Sequence, residues 1–341
     1  MYSFTNDYSE GAHPRILDKL IKSNLEQNNG YGEDIHCKNA SDYIKELINR
    51  EDVDIHFIPG GTQTNMVMIS SALRPHQCVI SADTGHINVH ETGAIEATGH
   101  KVVTVPTEDG KLTPKMIQDV LNEHTDEHMV KPKMVYISNS TELGTIYSKA
   151  ELSAISNICR HKDLILFMDG ARLGSALTSN ANDLDIADIA SLVDAFYIGG
   201  TKNGALLGEA LVICNGDLKE DFRDIMKQKG AMLAKGFVIG IQFEALFEDD
   251  LFYELAAHAN DMAADLAEII RENGYEFYLE PVTNQLFPVF PDDVIVELSK
   301  DFNFMIQKKI DDDTSVIRLV TSWATTPGSI DAFEEKIKEL T

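Results

Sequence analysis

The sequence predicts an α/β protein: a mostly parallel seven-stranded sheet with helices on both faces, plus a smaller C-terminal α+β domain. Three observations predict it. Short apolar runs alternate with helical stretches as far as about residue 245. Beyond that point a long amphipathic helix leads into strand-like segments without the same alternation. The 341 residues are also enough for two lobes at roughly 100–200 residues per domain. The expected organisation is an N-terminal arm over 1–15, a large domain over 16–245 and a small domain over 246–341.

Each element has a local reason. Residues 1–12 are polar and aperiodic, as in an arm. His13-Pro14 opens a helix in which Ile16, Leu17, Leu20 and Ile21 recur at helical spacing. The run NNGYGED (28–34) reads as a turn, and Ser41 reads as the cap of a second helix carrying Tyr43, Ile44, Leu47 and Ile48. The seven strands are placed at 55–59, 77–81, 101–106, 133–138, 164–169, 195–200 and 208–214. Helices fill 62–73, 113–124 and 149–161. A long amphipathic helix covers 250–272, with Gly274 just beyond its end. Strand-like NQLFPVF and SVIRLVTSW follow, and a last helix spans 328–340.

Composition narrows the function classes. Hydrophobic residues make up 43% and charged residues 25%, as in an ordinary globular protein. The 29 basic residues face 55 acidic ones, a net charge of −26. A body this negative repels phosphate backbones and anionic lipid heads, so neither nucleic acid nor a membrane surface is an expected partner. The four cysteines (37, 78, 159, 214) form no CxxC pair and read as reduced, buried thiols. There is no apolar signal core and no run of about 18 apolar residues, so a soluble, cytoplasmic protein is expected.

Four segments carry chemistry. In Pro59-Gly60-Gly61-Thr62-Gln63 a strand passes into a helix through glycines. Free N–H groups there suit an anion, although Thr62 also reads as a simple helix cap. Asp169 ends a buried strand, where α/β sheets keep their ligands, yet it could also cap a helix or pair with Arg172. Lys202 stands among small residues after another strand. A desolvated amine there becomes a nucleophile toward carbonyls; the alternative is a surface lysine in a glycine-rich turn. His86 and His90 share a face if their segment is helical, with Glu91 beside them, the spacing of a zinc pair. No third ligand is evident, and no metal is expected.

The order of these segments resembles fold-type I pyridoxal-phosphate enzymes, and within them the threonine aldolase family. The matching strings are Tyr31-Gly32-Glu33-Asp34, Phe57-Ile58-Pro59-Gly60-Gly61-Thr62-Gln63, His86 with Glu91 and Gly93, Asp169-Gly170-Ala171-Arg172, Lys202, and Ile317-Arg318-Leu319-Val320-Thr321. The resemblance implies pyridoxal 5′-phosphate held covalently by Lys202. Asp169 would keep the pyridine nitrogen protonated, making the ring an electron sink, and His86 would stack on the ring. Gly61, Thr62, Gln63 and Thr201 would hold the phosphate. Arg172, also near the cofactor, and Arg318 would clamp the substrate carboxylate, helped by Asn6 where the family usually has Ser. Tyr31 resembles a residue lent across a subunit interface, so a homodimer or homotetramer is implied. The implied reaction cleaves L-threonine, L-allo-threonine or a related β-hydroxy-α-amino acid to glycine and an aldehyde.

Two departures mark a divergent branch. Many members carry His in an Asn-Thr-His string; here Ser138-Asn139-Ser140-Thr141-Glu142 puts Glu142 in its place, so His86, Glu142 or a phosphate-bound water is the candidate base. An Arg that often follows the Gly-rich Met segment is Leu233 here, with Lys235 nearby. Other readings are a different pyridoxal-phosphate lyase, aminotransferase or racemase on the same scaffold, and a zinc hydrolase built on His86, His90 and Glu91.

Overall fold

The computed structural model describes residues 1–340. Its centre is a seven-stranded sheet of β1 (Asp54–Ile58), β2 (Gln77–Ala82), β3 (Lys101–Val105), β4 (Lys131–Ser138), β5 (Ile165–Asp169), β6 (Ala195–Gly199) and β7 (Glu209–Ile213). The spatial order is β1-β7-β6-β5-β4-β2-β3. All neighbours pair in parallel except β7, which runs antiparallel to both β1 and β6. The mostly parallel seven-stranded sheet expected from the apolar runs is therefore present.

Both faces of the sheet are covered, and successive residues of each strand feed opposite cores. Ile80, Val135, Leu166, Phe196 and Val212 pack into one cluster. Their neighbours Val79, Met134, Phe167, Tyr197 and Leu211 pack into the other. This two-sided burial is why the strands read as continuous apolar runs instead of alternating ones.

Helix α1 (Pro14–Ser23) starts where expected, with His13 accepting a hydrogen bond from the Arg15 N–H. Helix α2 (Ile35–Ile48) begins six residues before Ser41. Asp34 is its cap: Oδ1 accepts from Cys37 N at 2.8 Å, leaving Ser41 inside the helix. Helix α3 (Gly61–Ala72) is capped by Gly60 without a side-chain bond, so Thr62 is not its cap. Several helices escaped the sequence reading, the longest of them α4 (Phe237–Phe247), which is buried on nearly every side and so shows no amphipathic period. It crosses α2 so closely that a Cβ on Gly240 would stand 2.5 Å from Cys37 Sγ.

Helix α5 (Leu251–Glu272) leads to the smaller sheet, in which Thr314–Val320 pairs antiparallel with Gln285–Leu286, Pro288–Pro291 and Met305–Lys309. The N-terminal segment is tied to this unit. Tyr2 and Ser3 pair in parallel with Phe302 and Asn303, and Phe4 is fully buried among Leu319, Phe302 and Phe333. A polar composition concealed this anchoring because one aromatic ring carries it. Among the described residues no helix is long and apolar enough to cross a membrane, and the four cysteines are buried free thiols.

Candidate active site

Six of the seven strands point their C-terminal ends to one edge, and the reversed β7 brings its first residue there. A cavity of about 520 Å³ opens at that edge. Nine of the expected residues line it: Gly61, Thr62, His86, Glu142, Asp169, Arg172, Thr201, Lys202 and Arg318.

Asp169 is 4% exposed. Its Oδ2 accepts from Tyr136 Oη at 2.5 Å and Asn65 Nδ2 at 3.1 Å, and its Oδ1 from Tyr197 Oη at 2.6 Å and Ala171 N at 2.9 Å. Burial alone would raise its pKa, but His86 and the two phenols hold it below the usual carboxylate value. Neither helix capping nor pairing with Arg172 accounts for it. Gly170 lets the chain turn directly past β6, since a Cβ there would lie 1.8 Å from Tyr197 O. Lys202 follows β6 by three residues. Burial, then the adjacent Arg172, pulls its amine below the ordinary lysine range, toward the nucleophilic form.

The two arginines differ. Arg172 is engaged by Asp7, with Nε to Oδ2 at 2.7 Å and Nη2 to Oδ1 at 3.0 Å. Arg318 gives Nη2 to Thr5 O at 3.1 Å, while its buried Nε has no partner. Arg318 therefore keeps a donor free for an anion. Glu142 Oε1 accepts from His86 N at 2.9 Å and Ser138 Oγ at 2.8 Å, and burial followed by Asp169 raises its pKa. His86 opens only a single helical turn, His86–Val89; its ring lies 5.5 Å from that of His90, and its Nδ1 is 2.8 Å from Glu91 Oε1.

Three expected residues lie outside the lining. Gln63 turns away and donates Nε2 to Lys229 O at 3.1 Å. Asn6 spends its Oδ1 on Tyr8 N and Ser9 Oγ, capping the bend of the arm. Tyr31, 46% exposed, borders a separate void of about 30 Å³ with Arg223 and Met232. Lys235 is exposed and does not reach the cavity.

Sequence reading missed Asp7, Asn65, Tyr136, Tyr197 and Glu209. A signal existed for three of them. Tyr136 and Tyr197 are polar-tipped aromatics two residues before strand ends, and Glu209 is a charge opening an apolar strand. Glu209 lines the cavity at 4% exposure and accepts from Gly200 N at 2.9 Å and Thr201 Oγ1 at 2.8 Å. Burial pushes its pKa up to about 8, against the lowering effects of Thr201 and Lys202. Between about pH 5 and about 8 the folded state then holds a proton that the unfolded chain has released, so this group's contribution to stability falls as pH rises. The expected slope approaches about 1.4 kcal/mol per pH unit at most. Melting curves of the unloaded protein across that range should fall less steeply for Glu209→Gln; parallel curves would contradict the assignment.

The comparison with known proteins now has a geometry to meet. Residues 8–292 match the model of the beta-eliminating lyase family. The chain belongs to that family. This lyase is 33% identical over 299 residues to a low specificity L-threonine aldolase of Pseudomonas aeruginosa, covering 87% of this chain and 84% of that protein. It matches the structure of a Leishmania major threonine aldolase with a TM-score of 0.98 and 52% identity, over 100% of this chain and 99% of that one. A Thermus thermophilus aspartate aminotransferase shares the fold, with a TM-score of 0.76 at 14% identity over 100% of this chain and 92% of that one.

The cofactor of such a lyase is pyridoxal 5′-phosphate, and the residues present fit it. Lys202 is the one lysine among the residues lining the cavity, and a buried carboxylate shares that lining. At Gly60, nothing lies within 4 Å of where a Cβ would stand, so the space over the start of α3 is open to a ligand.

Proposed function

We propose that the protein cleaves L-threonine, L-allo-threonine or a related β-hydroxy-α-amino acid to glycine and an aldehyde, with pyridoxal 5′-phosphate carried on Lys202. The observation that carries this reading is the convergence of Asp169, Lys202, Glu142 and two arginines on one cavity. When bound, the cofactor supplies an electron sink for the pair released as the Cα–Cβ bond breaks.

The protein's own groups set up that cleavage. Gly61, Thr62 and Thr201 would hold the phosphate, and Asp169 would hold the proton on the ring nitrogen. His86 would cover the ring face. Arg318 and Arg172 fix the substrate carboxylate, which sets the orientation of the scissile bond. Arg172 contributes in part through its position, because Asp7 already takes two of its donors. Glu142 takes the β-hydroxyl proton. Its Oε1 is committed to His86 N and Ser138 Oγ, so Oε2 is the oxygen that receives the proton. A raised carboxyl pKa makes it a better base toward a hydroxyl.

The assembly is a homodimer or homotetramer in the cytoplasm. Tyr31 supports this, being exposed and outside the cavity, as Ile35 and Leu233 also are.

The test is direct. Protein incubated with pyridoxal phosphate and L-allo-threonine is expected to release acetaldehyde and glycine in equal amounts. Pyruvate or a keto acid in their place would move the reading to elimination or transamination. Absence of aldehyde from every β-hydroxy amino acid would remove the aldol assignment.

A further inference from the structure

Glu91 takes no part in the steps above, yet it is built into the site more firmly than some residues that do. Its side chain is completely buried, whereas that of His86 is 32% exposed. Burial of a carboxylate costs several kcal/mol unless its oxygens are used. One of them is used twice: Oε1 lies 2.8 Å from His86 Nδ1 and accepts from Asn65 Nδ2 at 2.8 Å. Asn65, fully buried in α3, also donates Nδ2 to Asp169 Oδ2 at 3.1 Å. His86, Glu91, Asn65 and Asp169 thus form one hydrogen-bonded chain, leading from the cavity wall to the buried carboxylate of Asp169.

The chemistry of that chain fixes a proton. The Asn65 amide can only donate through Nδ2, so Glu91 Oε1 is an acceptor toward it. A carboxylate oxygen in that state requires a donor at its other contact as well. His86 Nδ1 must therefore carry hydrogen, and in the neutral ring Nε2 is left with its lone pair. The His86 backbone N–H is separately committed to Glu142 Oε1, which ties the base of the ring to the other acid of the cavity. Among the described residues no hydrogen bond engages Nε2, and His86 lines the cavity.

We propose that Glu91, steered by Asn65, is a positioning residue that locks His86 in its Nδ1–H tautomer and presents Nε2 to the cavity as a hydrogen-bond acceptor for the β-hydroxyl group of the substrate. The tautomer follows from the protein alone. Only its consequence for turnover rests on the aldolase reading. The hydroxyl has one proton, so the two acceptors act in turn: Nε2 holds it in the bound substrate, and Oε2 of Glu142 receives it as the bond breaks. A tautomer with hydrogen on Nε2 would instead present a donor, turning the same hydroxyl to point its lone pair at the ring.

The test is two-bond ¹H–¹⁵N correlation of histidine-labelled protein, with and without pyridoxal phosphate, the His86 signals being assigned by their loss in His86→Gln. The wild-type ring is expected to show protonated Nδ1 and bare Nε2 in both forms. Glu91→Gln should keep that pattern, because its amide oxygen can accept from both Asn65 and His86. Glu91→Leu should release the ring to the Nε2–H form and lower kcat by about 100-fold, the lower end of what a positioned acid–base group contributes, with a much smaller change in KM. Glu91→Gln should recover most of that loss.

A wild-type ring with hydrogen on Nε2 would overturn the proposal without any variant, so poor folding of Glu91→Leu cannot shield it. An unchanged tautomer in well-folded Glu91→Leu would overturn it too. A changed tautomer with unchanged kcat would refute the acceptor role. A wild-type protein that shows the Nδ1–H ring but releases no aldehyde would bear out the lock and refute the aldolase reading instead.

Discussion

Replacing Lys202 by alanine is expected to abolish aldehyde release, with a loss on the order of 10⁴-fold or more. The reason is chemical and local. Lys202 is the one lysine among the residues that line the cavity, so no neighbouring amine can take over the covalent link. Its amine is also prepared for that link: burial and Arg172 both disfavour the ammonium form, and the small residues Gly200, Asn203 and Gly204 surround it in sequence. Alanine leaves the backbone of the turn after β6 undisturbed, so the variant should fold and keep its melting temperature without cofactor. Borohydride reduction followed by peptide mapping should place a pyridoxyl group on Lys202 in the wild type and nowhere in the variant. Turnover within tenfold of wild type, or label on another peptide, would remove the basis of the proposed chemistry.

The second large effect concerns stability. Asp7→Ala is expected to cost about 3–5 kcal/mol, measured as the shift in urea unfolding of the unloaded protein, and to raise KM. Asp7 is 1% exposed and takes two hydrogen bonds from Arg172 and one from Asn284 Nδ2 at 3.0 Å. Burial works to raise its pKa, but Arg172 and then Lys202 outweigh burial and keep it ionised. Removal strands the Arg172 guanidinium beside the Lys202 amine without its ion-pair partner. Asp7→Asn keeps the shape and should lose less. Because the folded pKa is depressed, the wild-type advantage should be full above about pH 4 and shrink as pH falls further. A change under about 1 kcal/mol in Asp7→Ala would mean that the pair nets nothing against its desolvation.

Asp7 also shows where the sequence stops being readable. It sits in a polar N-terminal stretch that looks solvated, and only the anchoring of Phe4 and the pairing of Tyr2 and Ser3 with Phe302 and Asn303 bring it to the cavity. Such a contact spans almost the whole chain, and nothing local encodes it. Asn6, its neighbour, was expected at the carboxylate site but turns its side chain into the arm. The seven central strands were legible because burial on both faces makes each an uninterrupted apolar run between turn residues. Helix α4 was not, for the same reason inverted: buried all round, it has no polar face to reveal a period. The cavity residues at strand ends, Asp169 and Lys202, were legible because a charge there breaks an apolar pattern. Asn65 was not, since an amide within the first turns of a helix looks ordinary until its two partners are known.

The reversal of β7 has a consequence for how the chain acquires its structure. The edge strand β1 touches the sheet only through β7, which lies far along the polypeptide. A nascent chain leaving the ribosome can assemble β2 to β6 in sequence order, but β1 and the glycine cradle at its end must wait until residue 213 has emerged. The Gly60-Gly61 end is therefore the last part of the large sheet to be closed, by a pairing of high contact order.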